Sequence, residues 1–409
     1  MYNKKILNDP VYGFVGIPYG ILFDLVEHPF FQRLRRIKQT SLTHLVYPGA
    51  LHTRFHHAIG ALHLMQEAIE VLRSKGVEVT EAEAEGVCIA ILLHDIGHGP
   101  FSHTLEHTLM GVTHEDISSY FMEFLNEEFD GRLSLAISIF NGKYHKPFLQ
   151  QLVSGQLDMD RMDYLTRDSF FTGVYEGVIG YDRIIKMLNV ANGELVVEVK
   201  GIYSIEKFLI ARRLMYWQVY LHKTVLSAEL MLIAALQRAK HLTQQGIVLD
   251  ASPSLQYFLS NRPTAADFSA DRNALLTKFA ALDDFDIVSA LKYWQNHSDR
   301  LLAYLSRSIL HRRLFRLEFS DEPFSEAYVR SIGEQVQQWS DLSEIVISYL
   351  VIQGEESNSA YRKFKDEIKI LQKDGTVSPM SSSMDQHLPF QEVTKYYLCY
   401  PKFKKANQN

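Results

Sequence analysis

A mainly α fold carrying a smaller α+β region at its C-terminal end is what the sequence predicts, and three observations predict it. Apolar residues recur at steps of three and four through most of the first 320 residues, and Ser/Thr-x-x-acid signals mark where helices begin. Beyond about residue 320 the texture changes to short β-rich runs separated by turn residues.

Taken in order, Leu22, Leu25, Val26, Phe30, Leu34 and Ile37 keep helical spacing over residues 21–39, broken at His28-Pro29 because proline lacks the N–H an interior position needs. A basic helix over 32–39 is expected past the break. Ile59, Leu62, Met65, Ile69 and Leu72 predict an amphipathic helix over 55–72. Thr80 and Glu83 form a capping box before a run to Leu93 that is apolar nearly all round, so that helix should be buried until Gly97-His98-Gly99-Pro100 ends it. Thr113 and Asp116 repeat the spacing before a helix over 117–129, and another helix is expected over 150–168. A hairpin of 195–199 with Ile202-Tyr203 through Lys200-Gly201 precedes one long helix over 205–242. Residues 247–275 read as a loop-rich joint, with helices resuming over 272–313 and 325–339. Strands are expected at 345–353, 368–371 and 396–400, a turn at Asp374-Gly375 and a loop at 381–383. We therefore read residues 1–320 as a helical body with a motif core at 50–170, and 321–409 as an α+β appendage.

Composition bounds the function. With 409 residues, 46% hydrophobic and 22% charged, the chain is globular, neither disordered nor a small disulfide scaffold. Two cysteines give no metal-spaced pair and suit a reducing compartment. No run approaches the roughly 18 apolar residues of a membrane span, and the start has too little apolar sequence for a signal peptide, so a cytoplasmic protein without membrane contact is expected. A net charge of -6 gives no global reason to bind nucleic acid, which leaves any phosphate to a local basic site.

The chemistry lies between residues 54 and 168. The buried helix delivers His94-Asp95 at its polar end, where both side chains can reach one ion. Alone, such a pair is more often a helix-end contact. Here eight of the 17 histidines fall between His56 and His114. Imidazole with carboxylate suits Mn, Fe, Co, Ni or Zn, whereas Mg prefers oxygen alone and would come with a nucleotide. Which of His56 and His57 faces inward stays open, because neighbouring helix positions point about 100° apart. Such a site suits phosphoester hydrolysis.

Arg54-Phe55-His56-His57, His94-Asp95-Ile96-Gly97-His98-Gly99-Pro100-Phe101-Ser102-His103, Thr113-His114-Glu115 and the stretch from Asp158 to Asp168 together resemble, in order, the motifs of the HD-domain phosphohydrolases. More narrowly they resemble the deoxynucleoside triphosphate triphosphohydrolase branch, whose fold is an HD-domain helical array. The resemblance implies that His57, His94, Asp95 and Asp160 hold one divalent transition metal. Asp158 and Asp163 flank Asp160 and are expected as supporting or structural partners, since a metal-bound histidine usually donates its other N–H to a carboxylate or carbonyl. The resemblance also implies proton transfer or phosphate contact by His103 and His114, with Glu115 or Glu106 setting the tautomer. Arg54, His98, Arg161, Tyr164 and Arg212 would face the triphosphate, Arg161 standing where relatives often have lysine. Gln39 and Asp168 would bind the 3′-hydroxyl, and Tyr220 would exclude a 2′-hydroxyl. His63 and His107 are expected to be structural. Thr40, Tyr216 and Leu221 depart from the branch near the nucleoside and leave the base preference open. Lys5, Ile6, Asn8, Glu27, Gln32 and Arg35 are similar to a nucleotide activator site at a subunit interface, and a homo-oligomer, dimer or tetramer, is implied.

The expected reaction is cleavage of a deoxynucleoside triphosphate to deoxynucleoside and inorganic triphosphate. A nucleotidase or phosphodiesterase acting on a monophosphate, cyclic nucleotide or short oligonucleotide is the nearest alternative. A nucleotide-binding regulator with little turnover is the alternative from another class.

Overall fold

The computed structural model describes residues 4–340, 347–358, 367–382 and 393–402, apart from the side chains of residues 103, 105 and 107. Its centre is the helix Arg54–Ser74, whose inner face of Ala58, Ala61, Leu62, Met65, Ala68, Ile69 and Leu72 is buried. The helices Glu81–Leu93 and Met159–Thr172 pack on it. A Cβ at Gly60 would collide with Asp163 Oδ1 and Arg167 Nη2, so the close approach of the last helix needs glycine there.

Glu81–Leu93 is buried as its apolar run requires, and its start is the expected capping box: Thr80 Oγ1 accepts from Glu83 N at 3.2 Å and Glu83 Oε2 accepts from Thr80 N at 2.9 Å. Glu83 also accepts from Lys146 Nζ at 2.9 Å and the Tyr144 hydroxyl at 2.8 Å. The helix His114–Glu128 has its Thr113/Asp116 box as expected and crosses at Gly97, where a Cβ would meet the backbone of His114 and Ser118. Gly97 N donates to Ser118 Oγ at 3.0 Å and that hydroxyl donates to His94 O at 2.8 Å, which fixes the turn after His94-Asp95.

Several elements differ from the sequence reading. Residues 33–36 form a 3-10 turn rather than a helix to 39, because Ile37 turns extended and Lys38 bridges to Thr53. The helix expected over 150–168 is two, Pro147–Val153 and Met159–Thr172, parted where Asp158 accepts from Gly155 N and caps the second. The hairpin pairs Leu188–Ala191 with Glu194–Glu198, since Asn192 and Gly193 supply the two positive-φ turn residues, while Ile202 begins a helix. The long helix is broken into Ile202–Met215, a π-helical turn Tyr216–Tyr220 and Lys223–Gln244, bent by 56°. The joint at 247–275 holds the helices Pro253–Ser260 and Ala265–Ala280, with proline in the first turn of the former, where a missing N–H costs nothing.

An unforeseen hairpin, Lys4–Asp9 with Gly13–Pro18, opens the chain. Toward the other end, Val393–Tyr400 lies between Arg316–Ser320 and Ile352–Asn358 in an antiparallel sheet. The strand at 345–353 thus begins later than expected, at Ile352, and residues 345–346 and 383 lie outside the described residues. Lys369–Leu371 pairs in parallel with Glu194–Glu198 and antiparallel with Val377–Pro379, joining the C-terminal region to the body's own hairpin. Among the described residues no single helix is long and apolar enough to cross a membrane.

Burial alone would raise the Glu83 carboxyl, but Lys146, the Thr80 N–H and the Tyr144 hydroxyl outweigh it and bring its pKa from 4.5 down to about 2. A depressed carboxylate pKa contributes stability above its unfolded value and loses it as pH falls through the folded one. Glu83→Gln should therefore lower the thermal midpoint at neutral pH and flatten the acid limb between 4.5 and about 2, read from melts across that range.

Candidate metal centre

The helix Arg54–Ser74 begins at Thr53, and its start settles which histidine turns inward. His56 is the third residue of a capping box: its Nδ1 accepts from Thr53 N at 3.1 Å and lies 3.0 Å from Thr53 Oγ1. His57 is left facing the core, with no exposure.

Four groups converge. His57 Nε2 lies 3.3 Å from His94 Nε2, 3.1 Å from Asp160 Oδ1 and 3.6 Å from Asp95 Oδ2. His94 Nε2 lies 3.4 Å from both Asp160 Oδ1 and Asp95 Oδ1. The opposite nitrogens fix the tautomers: His57 Nδ1 donates to Asp163 Oδ2 at 2.8 Å and His94 Nδ1 to Ile91 O at 2.6 Å. Both Nε2 atoms then face each other and two carboxylates. Protons on these nitrogens or a single cation can satisfy the facing carboxylates, and His57, His94 and Asp160 could hold that cation, with Asp95 beside them.

Charge follows the same geometry. Burial would lower the His57 pKa, but Asp160, Asp163 and Asp95 carry it up to about 10, and Asp95 with Asp160 raises that of His94. Asp160 sits well below the usual carboxylate range and Asp95 lower than usual, both against burial and because the two imidazoles face them. Arg54, itself buried, donates Nη1 to Asp95 Oδ2 and Nε to Ser102 Oγ at 2.8 Å. In this arrangement it holds Asp95, while the resemblance had it facing the triphosphate. Asp163 receives Arg167 Nε and Nη2, each at 3.0 Å. Asp158 supports the centre only indirectly: it caps its helix, accepting from Arg161 N at 2.7 Å, and pairs with the Arg161 guanidinium.

His114 lies beside the centre, its ring 4.0 Å from that of the buried His98. Glu106, and not the exposed Glu115, is its partner: Glu106 Oε1 lies 3.0 Å from His114 Nδ1 and accepts from His114 N at 2.7 Å. Helix direction explains the exchange, since Glu115 points away from the turn that Glu106 faces. His103 opens the helix His103–Leu109, and its side chain, like that of His107, lies outside the described residues. His63, expected to be structural, lies 3.4 Å from Glu67 and against Tyr12.

A row of rings leads from the centre toward Asp168. The Tyr164 ring lies 6.5 Å from that of His57 and 6.3 Å from that of Tyr220, and burial, opposed by Arg212 and Arg161, lifts its hydroxyl to about 12. Tyr220 donates to Asp168 Oδ2 at 2.6 Å, and His52 Nε2 lies 2.6 Å from Asp168 Oδ1. His52, stacked on Phe171 at 4.5 Å, escaped the sequence reading because it precedes the helix in no motif. Gln39 is joined to it through Gln39 N donating to His52 O at 3.0 Å, and Gln39 Oε1 is buried with no partner among the described residues.

The remaining candidates divide. Gln32 Oε1 accepts from Arg35 Nε at 2.8 Å, and Glu27 lies close enough to act on that guanidinium. Lys5, Ile6 and Asn8 are exposed on the first strand.

Comparison with known proteins bears on this geometry. The HD domain model matches residues 54–168 and the HD associated region model residues 179–250. A Bacteroides thetaiotaomicron phosphohydrolase of known crystal structure is 53% identical, with a TM-score of 0.94 over 98% of this chain and 100% of its own. The chain belongs to the HD-domain phosphohydrolases. Bacillus subtilis YwfO, an uncharacterized protein, is 30% identical over 98% of the chain and 93% of its own length. The Dictyostelium discoideum deoxynucleoside triphosphate triphosphohydrolase SAMHD1 homolog is 33% identical over 58% of the chain, which spans 50% of that relative. HD domains are metal-dependent, and the cluster of His57, His94 and Asp160 is a donor set that fits a divalent ion.

Because the facing carboxylates carry the His57 pKa to about 10 and raise that of His94, both imidazoles must give up their Nε2 protons to bind a cation, so metal uptake should release protons and weaken steadily as pH falls through about 10 and on through neutrality. Calorimetric titration of metal-stripped protein in buffers of different ionisation enthalpy checks both.

Proposed function

We propose that this chain hydrolyses deoxynucleoside triphosphates between the α-phosphorus and the 5′-oxygen, giving deoxynucleoside and inorganic triphosphate. The observation that carries the reading is the succession of side chains from His57 past the rings of Tyr164 and Tyr220 to Asp168, with Gln39 Oε1, unpaired among the described residues, at its far end. A divalent cation held by His57, His94, Asp95 and Asp160 would polarise a phosphoryl oxygen and acidify water.

The chain's own groups supply the rest. Glu106 keeps the His114 proton on Nδ1, so Nε2 is the nitrogen that takes or gives a proton, as protonation of the leaving 5′-oxygen requires. Arg161, Arg212 and the Tyr164 hydroxyl offer charge and a neutral donor to phosphate oxygens between the centre and the sugar. A buried unpaired amide oxygen costs roughly 1–3 kcal/mol, and a 3′-hydroxyl donating to Gln39 Oε1 would relieve that cost. Asp168, locked by His52 and Tyr220, is a second acceptor for the same hydroxyl, and the fixed Tyr220 ring is the wall against a 2′-hydroxyl. The resemblance extends the reading to a homo-oligomer with an activator nucleotide, supported by the grouping of Glu27, Gln32 and Arg35 and by the exposure of Lys5 and Asn8.

Metal-stripped protein reloaded with Mn, Co, Ni, Fe or Mg and given four dNTPs, with and without GTP, should yield triphosphate and deoxynucleosides by anion exchange and mass spectrometry. In labelled water the heavy oxygen should appear in triphosphate. Orthophosphate or pyrophosphate as the first product, or turnover of monophosphates alone, would reject the reading. Asp95→Ala removes part of the several kcal/mol that a metal supplies, so activity should fall on the order of a thousandfold. His114→Ala should lower kcat by about 10²–10⁴-fold while metal content stays unchanged.

A further inference from the structure

The metal-facing imidazole is the inner end of a longer chain of bonds that finishes in the N-terminal hairpin. Asp163, bonded to His57, is gripped on both oxygens by Arg167. The third arm of that guanidinium, Nη1, donates to Asp9 Oδ2 at 2.8 Å. Asp9 ends the first hairpin strand, and its other oxygen accepts from Val11 N at 2.9 Å and Tyr12 N at 3.0 Å. The Tyr12 ring lies 5.4 Å from the Arg167 guanidinium carbon. Asp9, Arg167, Asp163 and His57 are all buried, 158 positions separating the first pair in sequence.

We propose that Asp9 is a positioning residue for the metal centre. That role rests on His57, His94, Asp95 and Asp160 holding a metal, as proposed above. A guanidinium paired with Asp163 alone would neutralise it and leave the third arm buried without an acceptor. Shared with Asp9, it leaves Asp163 charge to spend on the His57 Nδ1–H, which orients the imidazole and strengthens Nε2 as a donor to a cation. The geometry is over-determined at both ends. Glycine at position 60 leaves room for the Asp163–Arg167 pair, and the hairpin turn is itself closed by the Asp9 carboxylate. Displacement of the hairpin therefore pulls on the guanidinium that holds the ligand's own support.

The test is Co²⁺ affinity and the Co²⁺ visible spectrum of metal-stripped full chain, for wild type, His57→Ala, Asp9→Asn, Arg167→Lys and the double variant. Asp9→Asn keeps an acceptor for Val11 N and Tyr12 N, so the turn survives while the charge opposite Arg167 is lost. Lysine keeps the Arg167 charge but cannot bridge two carboxylates. Loss of a direct support of a metal ligand costs roughly 10–100-fold in affinity, so a partner one bond further out should cost about 3–10-fold, with an altered spectrum. The double variant should be no weaker than Arg167→Lys. Wild-type affinity in either folded single variant, judged by circular dichroism and metal-free melting, overturns the proposal, as does an additive double variant. If His57→Ala binds Co²⁺ as wild type does, the metal centre itself is rejected, and the positioning role falls with it.

Discussion

The bond from His57 Nδ1 to Asp163 is the constraint on which the site depends. An imidazole can present one nitrogen to a cation in a dry interior only if the N–H on its other nitrogen is held elsewhere. A buried carboxylate can do that holding only if it is itself paired, since an uncompensated buried charge costs several kcal/mol. Arg167 provides that pairing from the same helix, one turn on. Moving any one of the three would leave the next unsatisfied.

That requirement reaches into the backbone. The Met159–Thr172 helix carries Asp160 to the centre, Asp163 and Arg167 behind it, and Asp168 to the sugar end, so its distance from Arg54–Ser74 sets the whole site. Gly60 permits the approach and Asp158 fixes where the helix starts. On the other side Gly97 lets the helix bearing His114 approach the turn after Asp95, and Ser118 ties the two together. Small residues and caps at these crossings turn side-chain bonds into fixed distances between elements.

The C-terminal region is bound to the body by strand pairing rather than appended to it. Val393–Tyr400 sits between strands from both sides of residue 320, and Lys395 lies 5.1 Å over the Trp217 ring in the π-helical turn that bears Tyr220. The break at that turn, which helical periodicity could not reveal, points Tyr220 at Asp168. A π turn preserves apolar spacing to either side while changing the direction of its own residues.

The sequence by itself determined the helices with strong periodicity and caps, and the stretch in which the site lies, because His94-Asp95 at a buried helix end and the ordered motifs are local signals. It offered Asp158 and Asp163 alike as supporting carboxylates, and only Asp163 bonds a metal-facing imidazole. Only the tertiary structure decided that His56 spends its ring on a cap and His57 faces inward, that Glu106 rather than Glu115 serves His114, and that Asp158 caps its helix. It alone placed Arg54 on Asp95, His52 on Asp168 and Asp9 on Arg167. Each of these turns on which face a side chain presents or on a partner tens of residues away. Periodicity encodes that a residue is buried, while packing between distant elements decides what it meets there.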